Sequence, residues 1–259
     1  MNASLPDITA VLCVHQATLL APSSLHSLIR ASEAATTAGM QVELLVMIAC
    51  PRAEMRSDLI AASSLGARVI EFDINDSEIA RNLAIEVGRG RFFAFLEGNN
   101  LWCRDWLIKA YNCAMESPSL AVWHPEASLW YGSDCEPYWM VHDDIDTAPA
   151  DWVLLGLKNH WTSQSFAPRE VHERVPYCKT DLAATLDYEN WRWNTEAVAC
   201  GYLHRTVLGT SHIIRAGSKS PMADPEALPA LMPASSLFRR KIGVALKQHS
   251  HKRVEATYL

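Results

Sequence analysis

Four apolar runs, each followed by a segment of helical spacing, fill the chain as far as Ser117, and this alternation constrains the fold more than any other feature. Ile8 to Val14 is apolar almost throughout and precedes Leu25, Leu28, Ile29 and Ala35 on one helical face, with Ser23 or Ser24 as N-cap. Val42 to Ile48 leads into Met55, Leu59 and Ala62, stopped by Gly66, and Ala67 to Phe72 follows at once. Ile79, Leu83 and Val87 then recur at helical spacing before a turn at Gly88 to Gly90, the run Arg91 to Leu96, and a helix from about Cys103 to Ser117. Strands alternating with helices specify an α/β fold with a Rossmann-like, mostly parallel central sheet flanked by helices. Ligands of such sheets collect at the carboxyl ends of the strands.

Beyond Leu120 the pattern is less regular. Pro, Trp and Asp crowd the stretch from Trp123 to Asp151, which suits long loops and antiparallel strands forming the far wall of a cleft. A helix is expected from Tyr188 to Cys200, ended by Gly201, and a short strand from Thr206 to Ile214. The tail from Ser235 to Leu259 reads as a separate helix, with Leu237, Ile242, Ala245 and Leu246 on one side and Arg239, Arg240, Lys241, Lys247, Lys252 and Arg253 around it.

Composition narrows the function. The 259 residues are 49% hydrophobic and carry a net charge of -6, so the chain has a full core and lacks the basic excess with which a nucleic-acid binder neutralises phosphates. Seven cysteines without a Cys-x-x-Cys pair fit buried thiols of a reducing compartment rather than a disulfide framework or zinc knuckle. With no basic leader and no apolar stretch near the roughly 20 residues that cross a bilayer, the expectation is a cytoplasmic protein. The turn after the first run, CVHQATLLAPSS, has no glycine to approach a pyrophosphate, and no P-loop occurs, which excludes dinucleotide-binding and P-loop readings.

Ala80-Arg81-Asn82, continued through IEVGRGRFFAFLEGNNLWCRDWL, resembles the family 2 glycosyltransferases of the GT-A fold, which share Ala-Arg-Asn, a helix ending in Gly, an apolar strand and then Asp-x-Asp-Asp. VPYCKTDLAATLDYENWRWNTEAVACGY is similar to a second block of that family, with Glu189 and Gly201 at its spacing, and HIIRAGSKS to a third. The resemblance implies a GT-A domain over 1–234, made of a nucleotide-binding half, 1–118, and an acceptor-side half, 119–234, with 235–259 as a basic C-terminal helical tail. It implies inverting transfer of a sugar from a nucleotide-diphosphate sugar to a hydroxyl of a glycan or lipid-linked acceptor of the cell envelope.

The same resemblance assigns the site. Where the family holds Mn or Mg and the diphosphate, this chain has Glu97-Gly98-Asn99-Asn100, so Glu97 and Asn99 form a metal seat weaker than the family's, or the transfer is metal-independent. His15, Gln16, Arg81, Asn82, Arg215 and Lys219 join Glu97, Gly98, Asn99 and Asn100 around the donor, the cations meeting leaving-group charge. The family's basic Glu-Asp pair is similar to Glu189-Asn190, and since asparagine takes no proton, Glu189 or Asp187 carries that role if the chain is active. The alternative is a catalytically inactive GT-A module that binds a sugar nucleotide, a glycan or a partner protein.

Nine tryptophans are many for this length, and Trp102 and Trp191 are the best placed to stack on an acceptor sugar. The cluster from His142 to Asp146 reads as a solvated loop, and His212 is near enough to Arg215 in sequence for a donor-side or metal role. The basic tail suits a solvated helix, a subunit contact in a homo-oligomer, or peripheral contact with the inner face of an anionic membrane.

Overall fold

The computed structural model describes residues 5–15, 21–51, 62–74, 76–132, 135–145, 155–156, 159–178, 189–215 and 235–238. Its first part runs β1 (Ile8–His15), α1 (Ala21–Thr37), β2 (Val42–Ala49), β3 (Arg68–Phe72), α2 (Ser77–Val87), β4 (Phe92–Glu97), β5 (Asn100–Trp102) and α3 (Trp106–Glu116). The remainder comprises β6 (Ala121–Gly132), β7 (Cys135–Val141), β8 (Phe166–Pro168), α4 (Arg169–Arg174), α5 (Glu189–Ala199) and β9 (Leu203–Arg215).

The nine strands among the described residues join one sheet in the order β3, β2, β1, β4, β8, β6, β9, β5, with β7 paired to β6 outside that path. The first four are mutually parallel, and β8 is antiparallel to both β4 and β6. β6 and β9 are parallel, whereas β5 runs antiparallel to β9. The irregular stretch beyond Leu120 holds the antiparallel pair β6 and β7, and β6 spans twelve residues and β9 thirteen, well beyond the short strand anticipated from Thr206 to Ile214.

β1 is apolar on both faces because both are covered, the usual condition of a central parallel strand. Ile8, Ala10, Leu12 and Val14 pack with Leu25, Leu28, Ala31 and Ala35 of α1 and with Trp106, Leu107 and Ala110 of α3. Val11 and Cys13 face Ala80, Ala84 and Ile85 of α2, Val171 of α4 and Trp193 and Ala197 of α5. In α2 the buried residues include Ala80, Arg81, Ala84 and Ile85, while Ile79, Leu83 and Val87 are half-buried. The apolar spacing marked the helix correctly but missed its inner face, because a paired arginine occupies that face. α1 begins at Ala21, so Ser23 and Ser24 lie in its first turn instead of capping it.

Gly90 is required where it stands: a Cβ there would come 2.3 Å from the Thr9 nitrogen, and the Gly90 N–H donates to Thr9 Oγ1 at 2.8 Å. At this amino end of the strands Glu43 accepts hydrogen bonds from Thr9 Oγ1, Arg68 Nη1 and the Arg89 N–H. That cluster pins β1 to β2 at the opposite end from Glu97. The expected helix over Met55 and Leu59, Asp146 of the acidic cluster, and the tail from Arg239 onward lie outside the described residues.

Candidate functional site

β1 and β4 end side by side, with Cys13 opposite Glu97 and the Gly98 N–H donating to the Cys13 carbonyl at 2.8 Å. The chain then turns through Gly98 and Asn99 into β5, whose partner β9 brings Arg215 to the same place. Asn99 Nδ2 donates to the Arg215 carbonyl and Asn100 Oδ1 accepts from the Arg215 N–H, both at 3.3 Å. Asn100 is buried, so its amide is a structural tie between turn and strand.

Arg81 occupies the centre. Its Nη2 donates to Glu97 Oε1 and its Nη1 to Glu78 Oε1, the latter at 2.6 Å. The guanidinium is 2% exposed and lies 5.2 Å over the Tyr177 ring. Burial alone would lower its pKa, but the carboxylates of Glu78 and Glu97 outweigh that and hold it well above the ordinary arginine value. The same helix carries Asn82, whose Nδ2 donates to the Tyr177 carbonyl at 2.8 Å and whose Oδ1 accepts the Tyr177 N–H at 2.9 Å. Asn82, expected at the donor, therefore has its amide committed to the backbone of Tyr177.

His15 completes this end of the sheet, with Nε2 3.8 Å from Glu97 Oε2. Its pKa is lowered, burial acting against the attraction of Glu97, so the ring is held neutral. Neither ring nitrogen has a hydrogen-bond partner among the described residues. Beside it, at the end of β2, Cys50 holds the left-handed φ of 47° that β-carbon-bearing residues seldom adopt.

Other expectations meet the core. Trp102 is buried against His212, and Trp191 is buried with its indole donating to the Leu155 carbonyl at 2.7 Å, so neither stands as an open acceptor platform. His212 is fully buried with its ring 4.6 Å from that of Trp106, because strand alternation turns His212 inward. His142 is likewise buried, 3.3 Å from Ser128 Oγ, and among the described residues of its cluster the solvated reading fits Asp143 and Asp144. Asn190 Nδ2 donates to the Trp161 carbonyl at 3.4 Å. Glu189 opens α5, while its side chain and the residues Gln16, Asp187 and Lys219 lie outside what is described.

Sequence reasoning missed Glu78 and Tyr177. The spacing of Glu78 to Arg81, three residues on one helix, is the signal that would have found the first. Tyr177 had none, since only tertiary structure brings it under Arg81. Among the described residues no group of three or more His, Cys, Asp or Glu side chains is arranged to hold a metal. Glu97 Oε2 and His15 Nε2 are nevertheless two metal-competent donors at one point, and the orphaned imidazole fits a cation there when further oxygens come from a bound ligand.

This mixed α/β architecture, a mostly parallel central sheet flanked by helices with the chain turning out of β4 on a carboxylate, is the GT-A glycosyltransferase fold. TarS 1-349 from S. aureus, in complex with UDP-GlcNAc, is similar over 82% of this chain and 59% of its own, with a TM-score of 0.58 and 11% identity. The mannosyltransferase PcManGT from Pyrobaculum calidifontis, in complex with GDP-Man and Mn2+, is similar over 83% of this chain and 58% of its own, with a TM-score of 0.57 and 14% identity. The chain thus spans about three fifths of the length of these structures. No family model matches the sequence, and no curated protein matches it significantly. Among the described residues no helix is long and apolar enough to cross a membrane.

Proposed function

We propose that this chain is a glycosyltransferase that moves a hexosyl group, with inversion, from a nucleoside diphosphate sugar to a hydroxyl of a glycan or lipid-linked acceptor. The observation that carries this reading is the Glu97 carboxylate held by Arg81 at the carboxyl end of β4, beside His15, in a GT-A fold. The nucleotide sugars bound by TarS and PcManGT support a donor of that class.

Departure of a nucleoside diphosphate leaves charge on its phosphate oxygens, and groups fixed in advance stabilise that charge without reorganising. Arg81 is fixed by Glu78 and Tyr177 and in turn orients Glu97, while Asn99 and Asn100 hold Arg215 at the rim. A divalent cation, when bound, supplies charge neutralisation at the diphosphate, and Glu97 is the carboxylate that would hold it. Removing the acceptor proton falls to Glu189, the first residue of α5, or to Asp187, two residues earlier in the sequence.

A second reading has its own observation. Asn190 stands where the family has its base, and its amide bonds to the Trp161 carbonyl. That favours a binding module without transferase activity.

A thermal-shift panel of UDP, GDP, dTDP, CDP and CMP sugars, each with manganese and with chelator, tests the proposal. A donor at 100 times its Kd adds about 2.7 kcal/mol, a shift of several degrees. A shift followed by sugar release or transfer supports the transferase, binding without turnover supports the silent module, and no shift with any donor removes both donor readings.

A further inference from the structure

The turn after Glu97 carries amides at Asn99 and Asn100, yet the carboxylates around it still outnumber the cations. Asp76, Glu78 and Glu97 set three carboxylates around His15 and Arg81, against the two guanidiniums of Arg81 and Arg215. A nucleoside diphosphate sugar bears a negative charge on each phosphate, so these residues alone do not attract it. The required positive charge has a specific place to sit.

His15 and Glu97 define that place. Glu97 Oε1 is occupied by Arg81, which fixes the carboxylate plane and leaves Oε2 as the oxygen nearest His15. The 3.8 Å between Oε2 and Nε2 is too long for a hydrogen bond. It is shorter than the roughly 4.2 Å that two metal–ligand bonds of about 2.1 Å can span. Both nitrogens of His15 are shielded from water and lack a hydrogen-bond partner among the described residues, an arrangement that is costly unless a ligand is taken up. The anchoring of Glu97 by Arg81 is the outer-shell support that ligating carboxylates generally receive.

We infer that His15 is the second protein ligand of a divalent-cation seat whose first ligand is Glu97, the donor's diphosphate oxygens completing the coordination. The inference rests on the donor reading above and adds an imidazole from β1 where the family-like turn has lost its acids. One imidazole and one carboxylate with phosphate oxygens favour Mn2+ or Zn2+ over Mg2+ or Ca2+.

The test uses the full chain, with Mn2+ titrated by electron paramagnetic resonance and calorimetry in the presence and absence of UDP and GDP. The expected result is Mn2+ binding strengthened by nucleotide, with nitrogen modulation of the Mn2+ signal from a ligating imidazole. His15→Gln should abolish that modulation and weaken Mn2+ binding about tenfold or more, and His15→Asp should restore affinity without the modulation. Unfolding midpoints of each variant in chelator separate lost ligation from lost fold. Mn2+ binding that is unchanged in His15→Gln overturns the inference. So does chelator-resistant nucleotide binding without Mn2+ uptake, which leaves the transferase reading standing. If neither nucleotide nor Mn2+ binds, the donor reading fails with it.

Discussion

Arg81 of α2 and Glu97 of β4 meet through Nη2 and Oε1 where β4 ends, and Glu78 holds the same guanidinium from its other side. The arginine thereby connects the buried Glu78 carboxylate to the partly exposed one of Glu97 at the end of β4. A family-like motif thus acts first as an internal brace, and its hold on a ligand is indirect.

Replacing Arg81 by Met should therefore cost stability before it costs binding. Glu78 is 2% exposed and would lose its cation, and breaking such a buried pair costs about 3–5 kcal/mol. Urea unfolding of Arg81→Met and of Arg81→Met/Glu78→Gln measures this; the double variant should recover part of the loss.

Asn82→Ala removes two hydrogen bonds to the Tyr177 backbone, and leaving buried groups unpaired costs about 1–3 kcal/mol each. The loss should appear as a lowered urea midpoint and as faster amide exchange at Tyr177. Unchanged exchange there would contradict the clamp.

Glu97→Ala should weaken nucleoside diphosphate binding by about tenfold, a difference of about 1.4 kcal/mol, whereas Glu189→Ala should leave it nearly unaltered. Calorimetric titration of both variants decides, and equal losses would end the separation of donor-side and acceptor-side roles.

Restoring acids distinguishes the transferase from the silent module. Asn99→Asp with Asn190→Asp should raise turnover by at least tenfold if a weak enzyme is limited by its missing base, since a positioned base contributes about 10²–10⁴-fold. A scaffold should show no turnover before or after. The readout is sugar release from the donor that binds.

Acid should destabilise the chain below neutrality. Burial pushes His142 down to about 4, with Asp143 opposing, and burial lowers His172 and His204 to about 3, aided at His172 by Arg81 and Arg169. These rings stay neutral in the fold but take up protons in the unfolded chain below its value near 6.5, so stability falls as pH drops from about 6.5 toward about 3. Urea midpoints at pH 7 and pH 4.5 measure the loss, and His204→Asn should flatten the dependence.

Much of the fold was legible because local rules fix it. The apolar runs gave β1, β2, β3 and β4, and Gly201, at a φ of 91°, ended α5 where a left-handed residue was needed. β5 and β8, three residues each, carry too little periodicity to be read and exist through pairing with β9 and with β4 and β6. Trp102, Trp191 and His212 went to the core because nothing in a sequence says which face of a strand or helix a partner will cover.

By itself the sequence determined the α/β alternation, the carboxyl-end position of Glu97 and the helix bearing Arg81 and Asn82, since these follow from spacing and turn chemistry. Only the tertiary structure decided that Arg81 is shared between Glu78 and Glu97, that Asn82 holds Tyr177, and that His15 comes within 3.8 Å of Glu97. Apart from Glu78 and Arg81, three residues apart on one helix, those relations join residues far apart in the chain. Their partners are chosen by sheet register and helix packing, which no local pattern encodes.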